Sequence, residues 1–87
     1  MSRRSYDVYL HEKLLARAPR AGRPRERIME FVRSLASDPF QKGDYEDTDH
    51  AGHPLGVKLV GRHAVTFFVD HAAGEVKIVN IELADQA

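Results

Sequence analysis

The sequence predicts an α+β domain: an N-terminal strand, a two-helix hairpin and then an antiparallel β-meander, with the helices on one face of the sheet. Three observations predict it. From Leu55 to Leu83 the chain reads as three apolar strands joined by two short turns, and strands that follow one another so closely pair antiparallel. Directly upstream, one amphipathic helix stops at Asp38-Pro39, where it is placed to cover one face of the meander. At the start, Tyr6, Val8 and Leu10 alternate with Ser5, Asp7 and Tyr9, the period-2 pattern of a strand.

The elements follow in order. Glu12 to Ala18 is rich in helix formers and predicts a short helix, about two turns long and marginal by itself. Pro19, Gly22 and Pro24 interrupt the chain. With Arg17, Arg20, Arg23, Arg25 and Arg27 around them they form a basic connector. Pro24 suits a first helical turn, where its missing N–H is not needed. Ile28, Phe31, Val32 and Leu35 then make one buried stripe, with Arg27, Glu30, Arg33 and Ser34 mostly on the other side. Pro39 ends this helix and disfavours helical geometry at Asp38. Gly43 to Asp49 is acidic and weakly alternating, as in a short edge strand whose charge discourages edge-to-edge association.

The meander strands are expected at Leu55–Val60, Ala64–Val69 and Glu75–Leu83. Gly61-Arg62-His63 and Asp70–Gly74 are the turns between them. On this reading Leu55, Val57, Leu59, Val65, Phe67, Val69, Val79, Ile81 and Leu83 face the helices. Lys58, Thr66, Phe68 and Lys77 lie on the opposite face, which so short a chain leaves without a second layer. Val76 and Ile78 fall out of phase with Val79 and Ile81, so the last strand either bulges or is buried on both sides.

With 87 residues, the chain suits a single domain with one modest core. Its 43 % hydrophobic and 30 % charged residues make a globular balance rather than a disordered one. The absence of cysteine excludes disulfides and thiolate metal sites. No apolar run approaches the ~20 residues of a membrane span, and Met1 to Tyr6 lacks the apolar centre of a signal peptide. A cytoplasmic protein is expected, without a membrane partner. The net charge is zero, yet residues 1–37 carry nine Lys/Arg and four Asp/Glu (+5), and residues 38–87 carry four and nine (−5). Such asymmetry marks either a partner surface or two solvated faces of one small domain.

The chain resembles the RelE/ParE superfamily of toxins from bacterial type II toxin–antitoxin systems. The resemblance rests on the strand Tyr6–Leu10, the helix ending Leu35-Ala-Ser-Asp-Pro39, the segment Val57-Lys-Leu-Val-Gly-Arg-His-Ala-Val-Thr-Phe-Phe-Val-Asp70 and the closing Val76-Lys-Ile-Val-Asn-Ile81. It implies a toxin neutralised by a cognate antitoxin. RelE-like members cut mRNA on the ribosome; ParE-like members poison DNA gyrase and need no catalytic set. A non-catalytic protein-binding module that keeps the fold is the third reading. Lys58 matches a lysine that RelE-like toxins carry before the tight turn. Arg62 lies one step from their arginine, and His63 occupies that place. Near the end of the last strand those toxins carry a basic residue, His or Tyr; here Glu82-Leu83-Ala84-Asp85 stands instead. RNA-cutting members are also usually strongly basic, because phosphate neutralisation dominates nucleic-acid affinity.

Endoribonuclease chemistry on mRNA needs a base for the 2′-OH, an acid for the leaving 5′-oxygen and cations for the phosphorane. Histidine exchanges protons near neutral pH, and lysine or arginine carries the positive charge. Lys58, Arg62 and His63 are therefore the candidate catalytic residues, against the plainer reading of a solvated turn. Arg17, Arg20, Arg23, Arg25 and Arg27 are candidates for gripping phosphate or an acidic antitoxin segment. Phe68 and Lys77 are candidates on the open sheet face. No cofactor or metal is expected. His50 and His53 have an H-x-x-H look and His71 is a third imidazole, but the pair sits in a Gly/Pro turn rather than on a helix and without a firm third ligand, and Asp44, Glu46, Asp47 and Asp49 are strung out rather than convergent.

Overall fold

The computed structural model describes residues 5–86; the reading of the leader rests partly on residues 1–4, which lie outside them. Strand β1 (Asp7–Tyr9) leads into helix α1 (Glu12–Leu15) and helix α2 (Gly22–Ser37). Strands β2 (Tyr45–Thr48), β3 (Pro54–Val60), β4 (His63–Asp70) and β5 (Glu75–Leu83) follow, and a 3-10 turn (Ala84–Gln86) ends the described chain. The five-stranded sheet runs β1-β5-β4-β3-β2. From β2 to β5 each strand pairs antiparallel with the next, whereas β1 lies parallel to β5, so the sheet is mixed. The α+β class and the meander agree with the expectation. Among the described residues no helix is long and apolar enough to cross a membrane.

Helix α1 is one turn shorter than its composition suggests. The His11 ring accepts the Lys13 N–H at 3.0 Å and caps its start. Beyond Leu15 the chain tightens, Arg17 and Ala18 donating to the carbonyls of Leu14 and Leu15. In α2 the predicted stripe of Ile28, Phe31, Val32 and Leu35 is buried. It packs with Val65, Phe67, Val76, Ile78 and Ile81 of the sheet. The Phe31 and Phe67 rings meet edge to face at 5.6 Å.

The bulge in β5 settles how Val76, Ile78 and Ile81 all reach this core. Thr66 pairs with Asn80 and Phe67 with Ile78, leaving Val79 without an opposite number. That extra residue shifts the alternation by one. Val79 is consequently 43 % exposed rather than inward, as its spacing to Ile81 had suggested.

The orientation of β3 is also corrected. The β3–β4 turn has two residues, Gly61-Arg62, and His63 is already the first residue of β4, opposite Val60. Gly61 takes φ 61° at the first central position, the place where a two-residue hairpin calls for glycine. This register sets Lys58 opposite the buried Val65, and Val57 opposite Thr66. Gly56, Lys58 and Val60 therefore point to the helix side; Leu55, Val57 and Leu59 point away. Gly56 is required there, because a Cβ would come within 2.5 Å of the Phe67 ring. Leu59 is accordingly 42 % exposed. Val57 and Ala64 are buried by their neighbours on the open face, outside the main core.

Strand β2 is a fully exposed edge. It is held where the chain enters it: Asp44 N–H donates to Val57 O at 2.7 Å, and Leu59 N–H donates to the Asp44 carboxylate at 2.6 Å. Gly43 passes so close to β3 that a Cβ would lie 2.5 Å from Val57 O.

Candidate functional site

The β3–β4 turn meets the start of α2 across a cleft of about 290 Å³. Its floor is apolar: Pro19, Pro24, Val60 and Leu83. Its rim carries Arg23 and Arg27 from α2, Arg62 from the turn and His63 from the first position of β4. Strand pairing positions the imidazole, since His63 lies between Val60 and Leu83 in the register. Helical spacing positions Arg23 and Arg27, which are four residues apart and so share one face. Among the described residues the only carboxylate paired with this rim is Asp85, 4.0 Å from Arg62, with both side chains mostly exposed. An exposed pair at that distance neutralises little charge. The cleft thus offers exposed guanidinium groups, an imidazole and an apolar floor. That combination suits an anion attached to an apolar body, such as a nucleotide.

The other predicted residues are placed elsewhere. Lys58 does not line the cleft; its ammonium lies 3.9 Å from Asp44. Arg17 donates to Asn80 Oδ1 at 2.9 Å, tying α1 to β5. Arg25 donates to the Pro19 carbonyl at 3.0 Å and holds the connector to α2. Arg20 lies beside Arg25 in a shallow depression with Glu12 and Leu15. Five arginines that look equivalent in the sequence therefore divide into two that brace the fold, two that line the cleft and one apart from both.

Phe68 and Lys77 do reach the open sheet face, directly opposite one another, with Tyr9 beyond Lys77. The His53 ring lies 5.6 Å from the Phe68 ring. Tyr9 donates to the Glu75 carboxylate at 3.3 Å, and that negative charge raises its hydroxyl above the usual tyrosine range. This is a separate patch from the cleft. The floor residues Val60 and Leu83 were not singled out from the sequence. Their signal was the hairpin register, which makes both of them neighbours of His63.

In the β2–β3 loop, Asp49 Oδ1 accepts the N–H groups of His53 at 2.8 Å and Ala51 at 2.9 Å, and Oδ2 meets His53 Nδ1 at 3.0 Å. The His53 amide is the main cause that lowers the Asp49 carboxyl below the ordinary aspartate value. A lowered carboxyl favours the closed loop above that ordinary value, and the preference disappears as the pH falls through the folded one. An NMR titration of the Asp49 carboxyl carbon is expected to give a midpoint below that of exposed aspartates, and Ala51 and His53 amide shifts are expected to move with it. Among the described residues no three metal-ligating side chains converge.

A scan of the sequence against protein-family models finds no match, and no curated protein is similar to it at a significant level.

Proposed function

We propose that this chain is the toxin of a type II toxin–antitoxin pair, a RelE-like endonuclease that cuts mRNA on the ribosome in the cytoplasm and is neutralised by a cognate antitoxin. The observation that carries this reading is the meeting of Arg23, Arg27 and Arg62 with His63 on one apolar-floored cleft. In that role the arginines hold the scissile phosphate and bear the charge of the phosphorane. His63 takes the proton from the attacking 2′-OH. The 5′-oxygen departs with a proton from water. The order strand, helices, meander supports the family reading.

One observation favours a ParE-like gyrase inhibitor instead. Glu82 and Asp85 occupy the segment where nuclease relatives carry basic or aromatic groups, and Asp85 is the carboxylate paired with Arg62. Induction of the gene in a bacterial host separates the readings. Growth arrest with transcripts cut inside codons is the expected result. Arrest with intact transcripts and broken DNA transfers the assignment to gyrase, and undisturbed growth removes both. Within the nuclease reading, Arg27→Ala is expected to slow cleavage about tenfold or more, since a hydrogen bond to a charged group contributes about 1.5–3 kcal/mol. Arg27 is exposed, so the unfolding temperature should stay where it is.

A further inference from the structure

We infer that the open face of the sheet docks a cationic amphipathic helix of a partner protein. It is the face turned away from α2 and from the cleft. The register sets Tyr9, Lys77 and Phe68 side by side across β1, β5 and β4. Tyr45, Val57 and Thr66 stand side by side across β2, β3 and β4. Leu55 and Leu59 flank Val57 on the same face of β3. Tyr9, Tyr45 and Leu59 are 49 %, 46 % and 42 % exposed there. An apolar sheet face is ordinarily covered by another element, most simply a helix.

Charge selects the occupant. Asp7 lies opposite Glu75, and Glu75 opposite Asp70, so three carboxylates stand in one row across β1, β5 and β4. Asp47 and Glu82 share the face, opposite Leu55 and Ala64. Among the described residues Lys77 is the one lysine or arginine that the register sets on these strands' open face. The ion pairs of the described residues are His53–Asp49, Lys58–Asp44 and Arg62–Asp85, so none of these five carboxylates is neutralised within them. Their field reaches Tyr9, whose hydroxyl is raised chiefly by the Glu75 charge, with Asp7 adding to it. Like charges directly opposite one another in a sheet repel. Charge on an edge strand guards against association, but this row crosses β5 and β4, which are interior to the sheet. A partner's lysines or arginines remove the repulsion, whereas a nucleic-acid backbone adds to it.

Size fits a short helix. Five strands about 4.8 Å apart make the face on the order of 19 Å wide. A helix laid across it needs ~13 residues at 1.5 Å each. Its apolar stripe meets Leu55, Val57 and Phe68, and its cations flank it on the side of Asp7, Glu75 and Asp70. The inference stands apart from the function proposed above, which uses the other face.

NMR of the isotope-labelled chain tests it, at about 0.1 M salt so that surface charges act within ~10 Å. The probes are two synthetic peptides of about 14 residues with the same leucine stripe at helical spacing, one carrying lysine and the other glutamate elsewhere. The lysine peptide is expected to move the amide signals of Tyr9, Val57, Phe68 and Lys77 and to leave those of Arg23 and Arg27 in place. The glutamate peptide is expected to bind at least about tenfold more weakly, the sum of a few exposed charge contacts. Asp7→Lys/Glu75→Lys is expected to invert this preference. Asp47→Lys, at a fully exposed position of β2, is expected to weaken the lysine peptide about threefold and supplies a second variant should the first not fold by circular dichroism. A lysine peptide that leaves the open-face signals unmoved overturns the inference, as does one that binds no tighter than the glutamate peptide or moves only the cleft. A short RNA that moves the same signals gives the face to nucleic acid and overturns it too. Signals that shift with protein concentration alone give the face to a second copy of this chain, with the same consequence.

Discussion

Replacing His63 with alanine is expected to slow mRNA cleavage by ~10²–10⁴-fold and to relieve growth arrest on induction. The imidazole is the group on the cleft rim with a ring nitrogen that can accept a proton from a 2′-hydroxyl, whereas the guanidiniums beside it carry donors only. The side chain is half-buried at a strand end, between Val60 and Leu83, so its removal should leave circular dichroism unchanged. Two further alanine variants make the result specific. His53→Ala removes an imidazole engaged with Asp49 in the β2–β3 loop, and is expected to leave cleavage intact. Lys58→Ala removes an ammonium turned to Asp44 and away from the cleft, and is expected to cost much less than the loss of His63. Should Lys58→Ala abolish cleavage while His63→Ala does not, the reaction centre lies on β3 and the cleft assignment fails.

Phe67→Ala is expected to cost about 3–5 kcal/mol of stability, a large part of the 5–15 kcal/mol that holds a typical domain together. Phe67 is 3 % exposed, meets Phe31 edge to face and lies against the bare backbone of Gly56. Truncation therefore empties the junction of α2, β3 and β4 at once. Gly56→Ala attacks the same contact from the other side. Its methyl would come within 2.5 Å of the ring. The ring cannot retreat without disturbing Phe31, so a loss of about 1–3 kcal/mol is expected. The two changes should not add: with Phe67 already reduced to alanine, the methyl at position 56 has room, and Gly56→Ala should be close to neutral. Urea unfolding of the four proteins measures the coupling. Strict additivity would mean that the ring and the glycine do not share the contact described here.

The same pair explains why β3 was read upside down from its sequence. Leu55, Val57 and Leu59 form the more apolar row, and periodicity assigns the more apolar row to the core. Counting Gly61-Arg62-His63 as a three-residue turn sets Lys58 opposite Thr66 and agrees with that choice. The hairpin uses two residues, and one residue of register moves every side chain of a strand to the other face. The clue was local after all. Gly61 at the first central position of a two-residue turn puts Lys58 opposite Val65, and Val65 has to be buried. Glycine at 56 was the second clue, because a phenylalanine ring needs the space that an absent Cβ leaves.

The candidate site was legible in halves. Arg62 and His63 were visible because they sit together at a turn beside a strand end. Arg23 and Arg27 were visible only as members of a run of five arginines, and nothing local separates them from Arg17 and Arg25, which brace the fold. What the sequence by itself determined is the order of elements, the buried stripe of α2, the antiparallel meander and the irregularity in β5, all of which follow from spacing along a few turns or one strand. Only the tertiary structure decided that the start of α2 comes to rest against the β3–β4 turn and brings distant arginines to the histidine. That approach is set by how Phe31 and Leu35 seat on Val65, Phe67 and Ile81. Packing between residues far apart in the chain leaves no period in the sequence from which it could be read.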